Sequence, residues 1–346
     1  MTHPRFAGYF DGTEGGPAGF RELAERALEL RGGAAPDRAD GLRLVAMFFN
    51  PSLRTRTSLE CAAENLGIRT IILNPGSDAW KLEHRDGVVM NEDKAEHLAD
   101  AVPILGEYAD LLAVRTFAGL TDLEEDRRDA VLSAFVKHSS RPVINLESAR
   151  WHPLQGLADA ATLFDQLGTD LRGLPVTLTW APHPRALPAA VPNQFLLTAA
   201  LLGLDLTVAH PEGFDLDPEV IAKAEGVGAE TGASLRFSHD QGAAMRGARV
   251  VMAKSWSGFS GYGRREDEAR VRASLGSWTV DARKMALTDD AGFMHCLPVR
   301  RNVVVTDEVI DGPRSWTTIT GGLRLASAEA LLERIVAAKG EHPWNV

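Results

Sequence analysis

The chain has 346 residues, 45% of them hydrophobic, and a formal net charge of −10. This length allows two domains, and the negative charge argues against a general nucleic-acid surface. No apolar run approaches the roughly 20 residues of a membrane span, residues 1–5 lead into no secretory pattern, and the two cysteines are too few for a disulfide framework. The sequence therefore predicts a cytoplasmic protein that acts on small molecules, without nucleic-acid or membrane partners.

Short apolar strands alternate with helical stretches along the chain. This alternation predicts the α/β class, with two doubly wound parallel-sheet domains at residues 1–150 and 151–326, and a last helix at 327–340. Ligands in such sheets bind at the carboxyl ends of strands, where Phe49, Arg115, Glu147 and Cys296 fall. We therefore expect one cleft between the domains. The strands are predicted at 42–49, 69–73, 111–115, 142–145, 175–180, 205–209, 234–237, 249–253, 278–280, 291–296 and 316–319.

The segment that follows the first of these strands has the composition of a phosphate site. Ser52, Arg54 and Thr55 fall at or near the first turn of the next helix, where backbone N–H groups are free and the helix dipole is positive. An arginine there can donate two hydrogen bonds to phosphate, and Ser and Thr can each donate one more. A plain N-capped helix is the alternative reading, because Ser and Thr are common caps.

Two more motifs stand far downstream. His152-Pro153-Leu154-Gln155 opens a helical run, so His152 and Gln155 lie on one face near its start. His295-Cys296-Leu297-Pro298 follows a short strand. With Ser52-Leu53-Arg54-Thr55-Arg56, these motifs resemble, in the same order, those of the aspartate/ornithine carbamoyltransferase family.

The resemblance implies a reaction with carbamoyl phosphate in which an uncharged amine attacks the carbonyl carbon and phosphate leaves. Arg54, His152 and Gln155 would polarise the carbonyl oxygen, and Arg56 would pair with Glu60 instead. It also implies a cis Leu297–Pro298 bond and a homotrimer with shared sites, to which Trp80 would contribute from a neighbouring subunit. Neither a cofactor nor a metal is predicted. The implied carbamoyl-phosphate contacts are Ser52, Leu53, Arg54, Thr55, Trp80, Arg115, His152, Gln155, Cys296, Leu297 and Arg324.

The acceptor motifs resemble the N-acylornithine branch of the family. The ornithine enzymes carry an Asp-x-x-x-Ser-Met-Gly pattern whose aspartate binds the free α-amino group, and the region 249–258 lacks this aspartate. Lys254, in Lys254-Ser255-Trp256, suits a carboxylate or an acyl carbonyl instead, because it can only donate. The implied product is N-acetyl-L-citrulline, made in arginine biosynthesis. N-succinylornithine, ornithine or another amine stay open as acceptors, as does a non-catalytic anion-binding role. The implied acceptor contacts are Glu147, Lys254, Cys296, Leu297, Pro298 and Arg300.

Three positions depart from the pattern of the acetylornithine enzymes. Ala95 replaces the glutamate near the acyl pocket, Val304 stands at a lysine position, and Pro188 replaces an asparagine. Pro188 lies in the proline-rich segment 181–192, whose plain reading is a stiff surface loop. The resemblance implies instead that this segment is the loop of a knot.

Overall fold

The computed structural model describes residues 8–258 and 261–341, so residues 1–5, on which the expectation of no secretory pattern rests, lie outside it. Its first unit, residues 8–147, has a five-stranded sheet and a two-stranded one. The helices and strands of this unit are β1 (Gly8–Tyr9), α1 (Gly16–Arg31), β2 (Arg43–Phe48), α2 (Arg54–Asn65), β3 (Arg69–Leu73), β4 (Leu82–Glu83), β5 (Glu96–His97), α3 (Leu98–Tyr108), β6 (Leu111–Arg115), α4 (Leu123–Arg127), α5 (Ala130–His138) and β7 (Val143–Glu147).

The rest of the described chain holds a second five-stranded sheet and most of the longer helices. Its elements are α6 (Pro153–Leu167), β8 (Pro175–Trp180), α7 (Ala190–Leu202), β9 (Asp205–Ala209), α8 (Pro218–Thr231), β10 (Ser234–Ser238), α9 (Gln241–Met245), β11 (Val250–Lys254), α10 (Arg265–Ala273), α11 (Ala282–Met285), β12 (Gly292–Met294), α12 (Asp307–Ile310) and α13 (Thr317–Glu341). We call residues 175–294, which contain this sheet, the second unit.

Both five-stranded sheets are parallel, which confirms the predicted α/β class. The first has the order β1-β7-β6-β2-β3 and the second β10-β9-β8-β11-β12. In the first sheet, β3 lies on one side of β2, and the later strands β6 and β7 lie on the other side. In the second sheet, β9 and β10 lie on one side of β8, and the later strands β11 and β12 lie on the other side. The reversals lie between β2 and β6 and between β8 and β11. A crevice forms where neighbouring connections diverge in this way, so these reversals are the expected ligand sites.

Helix α6 joins the two units. Pro153 occupies its first turn, where the missing N–H costs nothing, and Gly168 ends it at a positive φ of 82°. All residues from Pro153 to Phe164 are buried. A helix that is buried on all sides belongs in a core, and α6 packs against α1, α7 and α13.

The last helix, α13, returns to the first unit. It packs against α1 and α2 as well as α6, and Arg26 of α1 pairs with Glu333 at 2.9 Å. The returning helix also carries Arg324 into the cleft. The domain division at residue 150 stays a prediction.

Most predicted strands are present, but 278–280 and 316–319 are wrong. Gly276–Trp278 is a short 3-10 helix, and Val280 makes only an isolated bridge to Val305. Residues 317–319 open α13, so the last helix begins ten residues before the predicted 327. The β-branched Thr317, Thr318 and Ile319 favour a strand locally, and packing against the buried helix layer overrides that preference.

The proline-rich segment is shorter than predicted as a loop. Its last residues, Ala190, Val191 and Pro192, form the first turn of α7, where proline is tolerated. The loop is attached to the chain after β11, since Ser257 donates its N–H to the Leu187 carbonyl at 2.9 Å. Whether the chain is knotted stays a prediction. In the described chain, no helix combines the length and apolar character of a membrane span.

Candidate active site

The start of α2 is an N-capped turn with two arginines on different sides. The Ser52 hydroxyl accepts the Thr55 N–H at 3.1 Å, as the capping interpretation required. Arg54 is half-buried, and this burial, more than any neighbouring charge, lowers the pKa of its guanidinium. Arg56 is exposed and pairs with Glu60 at 3.5 Å. The turn therefore presents Arg54 to the cleft, while Arg56 lies on the surface as predicted.

The Thr55 hydroxyl joins the first turn of α2 to β6 and α13. It accepts Arg324 Nη2 at 2.7 Å and lies 3.3 Å from Arg115 Nη1. Thr55, Arg115 and Arg324 are all buried. A hydroxyl that accepts from two cations still has its proton to donate to an anion.

Arg115 and Glu147 end the adjacent strands β6 and β7. A register shift between Val114 and Arg115 brings these two residues side by side. Arg115 Nη1 donates to Glu147 Oε2 at 2.5 Å, and its guanidinium lies over the Phe117 ring, 4.5 Å from the centroid. The arginine is thus held in place before any ligand arrives, and Glu147 partly neutralises it.

His152 lies deep in the same cluster as a neutral imidazole. Burial and the surrounding cations, Arg324 first among them, hold its pKa well below the ordinary value. Its Nε2 lies 3.2 Å from Arg324 Nη1 and 3.4 Å from Glu147 Oε2. Since an arginine can only donate, the shorter contact requires an unprotonated Nε2 and puts the proton on Nδ1, which has no partner among the described residues.

Gln155 is fully buried in the first turn of α6. Its Oε1 accepts Arg324 Nη1 at 2.7 Å, and its Nε2 donates to Asp159 Oδ1 at 2.8 Å. Sequence reasoning missed Asp159. The signal for it was available, because it is the one carboxylate between residues 153 and 164 of α6 and stands four residues after Gln155.

The loop after β12 closes the cluster from the second unit. The Leu297–Pro298 bond is cis and Leu297 has a positive φ of 53°, while the Leu297 N–H donates to His295 Nδ1 at 2.8 Å. Cys296 is buried, and burial raises the pKa of its thiol. A neutral thiol is a poor nucleophile. The loop thus offers a fixed backbone shape, with Cys296 as part of its packing.

Apart from Glu147 and Cys296, the predicted acceptor residues are less buried. Lys254 ends β11 and is half-buried, whereas Pro298 and Arg300 are exposed. The charge of Lys254 contributes to lowering the pKa values of His152 and His295, which places it at the same cleft. Glu147 is bound to Arg115 here and faces the first unit's arginines.

Arg272, which sequence reasoning also missed, anchors the chain that follows Lys254. Its Nη1 donates to the Ser255 hydroxyl at 2.9 Å and its Nη2 to the Trp256 carbonyl at 2.6 Å. Glu268 accepts its Nε at 2.5 Å, and the guanidinium lies 5.5 Å from the Trp180 ring centroid. This buried network fixes the position of the segment after β11.

Trp80 and Ala95 lie outside the cluster, on the segment around β4 and β5. Trp80 is 62% exposed, and its Nε1 donates to Glu96 Oε2 at 2.7 Å. Ala95 is exposed as well. The neighbouring Lys94 pairs with the buried Glu83 at 3.0 Å.

Arg324 thus joins Thr55, His152 and Gln155. Arg115 reaches the same cluster through Thr55, and Arg54 lies near enough for its charge to interact with that of Arg115. Within residues 8–258 and 261–341, no group of three or more His, Cys, Asp or Glu side chains is arranged to hold a metal ion. The fold and the cluster define a two-unit α/β protein with a cationic cleft that suits a small phosphorylated ligand.

Comparison with known proteins identifies the family. Residues 16–165 match the carbamoyl-phosphate-binding domain of aspartate/ornithine carbamoyltransferases, and residues 189–335 match their Asp/Orn-binding domain. The chain belongs to the aspartate/ornithine carbamoyltransferase family.

Three similar proteins are named for N-acylated ornithines. The chain is 43% identical to N-acetylornithine carbamoyltransferase of Xanthomonas campestris, over 86% of this chain and 88% of that one. It is 41% identical to N-succinylornithine carbamoyltransferase of Bacteroides fragilis, over 85% and 87%. A crystal structure of a variant N-acetyl-L-ornithine transcarbamylase superposes with a TM-score of 0.92 at 40% identity, over 95% of this chain and 99% of that one.

Proposed function

We propose that this protein transfers the carbamoyl group of carbamoyl phosphate to the side-chain amine of an N-acylated ornithine, with N-acetyl-L-ornithine as the first acceptor. The products are N-acetyl-L-citrulline and phosphate. One observation carries the proposal: Arg324 hydrogen-bonds Thr55 and Gln155 and contacts His152, so motifs more than 250 residues apart in the chain meet at a single point. Family membership supports the same reaction.

The phosphate group of the substrate is assigned to the first unit. Ser52, the Leu53 backbone, Arg54 and Thr55 surround the start of α2, and Arg115 lies at the end of the next strand in the sheet. Arginine forks and hydroxyls bind phosphate oxygens with charge-assisted hydrogen bonds, and the helix dipole adds to the attraction. Trp80 would enter this site from a neighbouring subunit.

The carbonyl oxygen is assigned to His152, Gln155 and Arg54. His152 is neutral and would donate from Nδ1, while Gln155 has a second Nε2 proton beyond the one given to Asp159. These donors are fixed before the reaction, so they stabilise the negative charge that develops on the oxygen without reorganising.

The amine attacks the carbonyl carbon in its uncharged form. The new C–N bond forms as the bond from carbon to the phosphate oxygen breaks, and phosphate leaves with that electron pair. The proton of the attacking amine goes to the departing phosphate. No covalent enzyme intermediate is needed, which agrees with the neutral, buried thiol of Cys296.

The preference for an acylated acceptor rests on Lys254. An α-ammonium group of free ornithine would meet a like charge there, whereas the α-carboxylate or the acyl carbonyl would accept a hydrogen bond from it. Glu147, Cys296, Leu297, Pro298 and Arg300 complete the proposed acceptor site.

N-succinylornithine is the second candidate acceptor, favoured by Ala95. The variant transcarbamylase whose structure superposes on this chain has one glutamate replaced by alanine, and it was crystallised with carbamyl phosphate and N-succinyl-L-norvaline. If Ala95 occupies the position of that glutamate, this chain naturally lacks the side chain that the variant lost. Arg300 is then the cation available to a second carboxylate, since Lys94 is bound to Glu83.

The proposed assembly is a homotrimer with shared sites. Trp80 is largely exposed in the single chain, so it is available to contact the active site of a neighbouring subunit. A role in arginine biosynthesis and a cytoplasmic location remain predictions.

The acceptor is tested by steady-state kinetics with carbamoyl phosphate and ornithine, N-acetylornithine or N-succinylornithine, measuring phosphate and the ureido product together. We expect at least about tenfold higher kcat/KM for one acylated form than for ornithine, which corresponds to roughly 1.4 kcal/mol. A higher value for ornithine than for both acylated forms would refute the acceptor assignment. No ureido product from any acceptor would refute the reaction.

A further inference from the structure

Asp159 is a buried carboxylate that the proposed mechanism does not use. It lies on α6 and is 1% exposed, and burial raises its pKa to about 7. Its Oδ1 accepts Gln155 Nε2 at 2.8 Å, while its Oδ2 has no partner among the described residues. Burying a carboxyl group with half of its hydrogen-bonding capacity unused is costly, so its presence calls for an explanation.

The geometry around Gln155 supplies that explanation. A carboxamide can rotate by half a turn and exchange its oxygen and nitrogen at almost no cost in shape. In the donor role assigned to Gln155, only the orientation with Nε2 towards the substrate is useful. The flanking groups therefore decide whether the side chain can stabilise the carbonyl oxygen.

Two groups on different helices select the same orientation. Arg324 of α13 can only donate, and it lies 2.7 Å from Gln155 Oε1. Asp159 accepts from Nε2 on the other side. A rotated amide would direct its N–H groups at the guanidinium, which is unfavourable because both sides donate. Its oxygen would face Asp159 Oδ1, which is unfavourable whenever that oxygen carries no proton.

We infer that Asp159 is a positioning residue, which with Arg324 fixes the Gln155 carboxamide so that its second Nε2 proton points at the substrate carbonyl. This inference rests on the proposed role of Gln155. Asp159 touches no reacting atom itself, so its removal should act through Gln155 alone. Among the described residues of other elements, the titratable groups near it are the charged Arg324 and the neutral Cys296 thiol.

A double-mutant cycle tests the inference on the intact protein. Gln155→Ala, Asp159→Leu and the double variant are compared with the parent in steady-state kinetics, and folding is checked by thermal unfolding. We expect Asp159→Leu to lower kcat about tenfold and to change the KM for carbamoyl phosphate less than about twofold. In the Gln155→Ala background, the same substitution should lower kcat by less than a further factor of about two. Asp159→Asn should stay within about threefold of the parent, because its Oδ1 can still accept from Gln155.

The outcomes are distinguishable. Equal losses from Asp159→Leu in both backgrounds would show that Asp159 acts independently of Gln155 and overturn the inference. Full activity in Gln155→Ala would overturn the role of Gln155, and the positioning role with it. If Asp159→Leu does not fold, Asp159→Val takes its place in the same cycle.

Discussion

The two sides of the cleft are built differently. On the carbamoyl-phosphate side, Arg115, His152 and Gln155 are all less than 7% exposed and are linked by hydrogen bonds or close contacts from the first unit to α13. On the acceptor side, Lys254 is half-buried and Arg300 is exposed. Trp80, on the segment proposed to reach a neighbouring site, is 62% exposed.

The difference separates the residues whose positions the reaction requires from those that can differ between relatives. A buried network holds donors in place before the substrate binds, which is what stabilisation of a developing charge requires. Exposed side chains at the ends of strands can change without disturbing a core, so the acceptor can differ between relatives that share one reaction. Changes to the groups that contact carbamoyl phosphate should therefore lower activity most, and changes at Lys254 or Arg300 should alter the acceptor preference.

The largest effect is expected for Arg54→Ala. This change removes a forked contact to phosphate and one donor to the carbonyl, so kcat/KM should fall by about 10³ or more. The capped turn, held by Ser52 and Thr55, should keep the fold. Steady-state kinetics and circular dichroism of the purified variant measure both.

Arg56→Ala is the matched control, two residues away on the same helix. Its partner is Glu60, whose side chain is 43% exposed, and such surface pairs contribute little, so activity should stay within about twofold of the parent. A folded Arg54→Ala protein with nearly full activity would contradict the phosphate site.

The second prediction concerns the exposed tryptophan. If each site combines Arg54 of one subunit with Trp80 of another, then Arg54→Ala and Trp80→Ala chains are each nearly inactive alone, and activity returns when they are mixed. Mixed trimers contain some sites in which both residues are intact. Subunit exchange is verified by mass spectrometry of differently labelled chains. A lack of recovery despite confirmed exchange, or a monomer in light scattering, would argue against shared sites.

Much of the buried side could be predicted from the sequence. The strand ends at Phe49 and Arg115 and the motifs around Arg54 and His152 are local signals, and the shared topology of parallel sheets brings such ends together. Arg324 was predicted only through the resemblance, because the last helix was predicted to begin at residue 327, after Arg324, whereas it begins at Thr317. Its own segment, with β-branched residues before Gly321 and Gly322, has weak helix propensity.

What could not be predicted depends on contacts between distant elements. That Arg115 pairs with Glu147 follows from a register shift between adjacent strands. The anchoring of Ser255 and Trp256 by Arg272 spans a segment without any motif. Asp159 carried a local signal, but its meaning depends on Arg324, more than 160 residues away.

A smaller effect is expected for Lys254→Met on the open side. Methionine keeps the apolar stem and removes the charge, so the KM for an acylated acceptor should rise about tenfold, while the KM for carbamoyl phosphate changes little. The kcat/KM for free ornithine should rise relative to that for the acylated form, because the like charge is gone. Kinetics with ornithine and N-acetylornithine under saturating carbamoyl phosphate measure this ratio. An unchanged ratio would remove Lys254 from the acceptor site.

The smallest predicted effect concerns stability and returns to the buried side. Burial raises the pKa of Asp159 to about 7, whereas an unfolded aspartate titrates near 3.9. The folded state therefore keeps a proton that the unfolded state has lost, and this contribution to stability declines as the pH rises from about 4 through about 7.

Asp159→Asn has no such proton. Its free energy of unfolding relative to the parent should therefore rise between pH 5 and pH 8, by on the order of 2 kcal/mol. Urea unfolding at fixed protein concentration measures the difference. Asp129→Asn is the matched control, because burial raises the pKa of Asp129 only to about 6. The free energy of unfolding of Asp129→Asn relative to the parent should therefore stop rising at a pH about one unit lower. If the free energies of unfolding of Asp159→Asn and the parent change with pH in parallel, the carboxylate is already charged at pH 5. Burial would then not raise the pKa of Asp159.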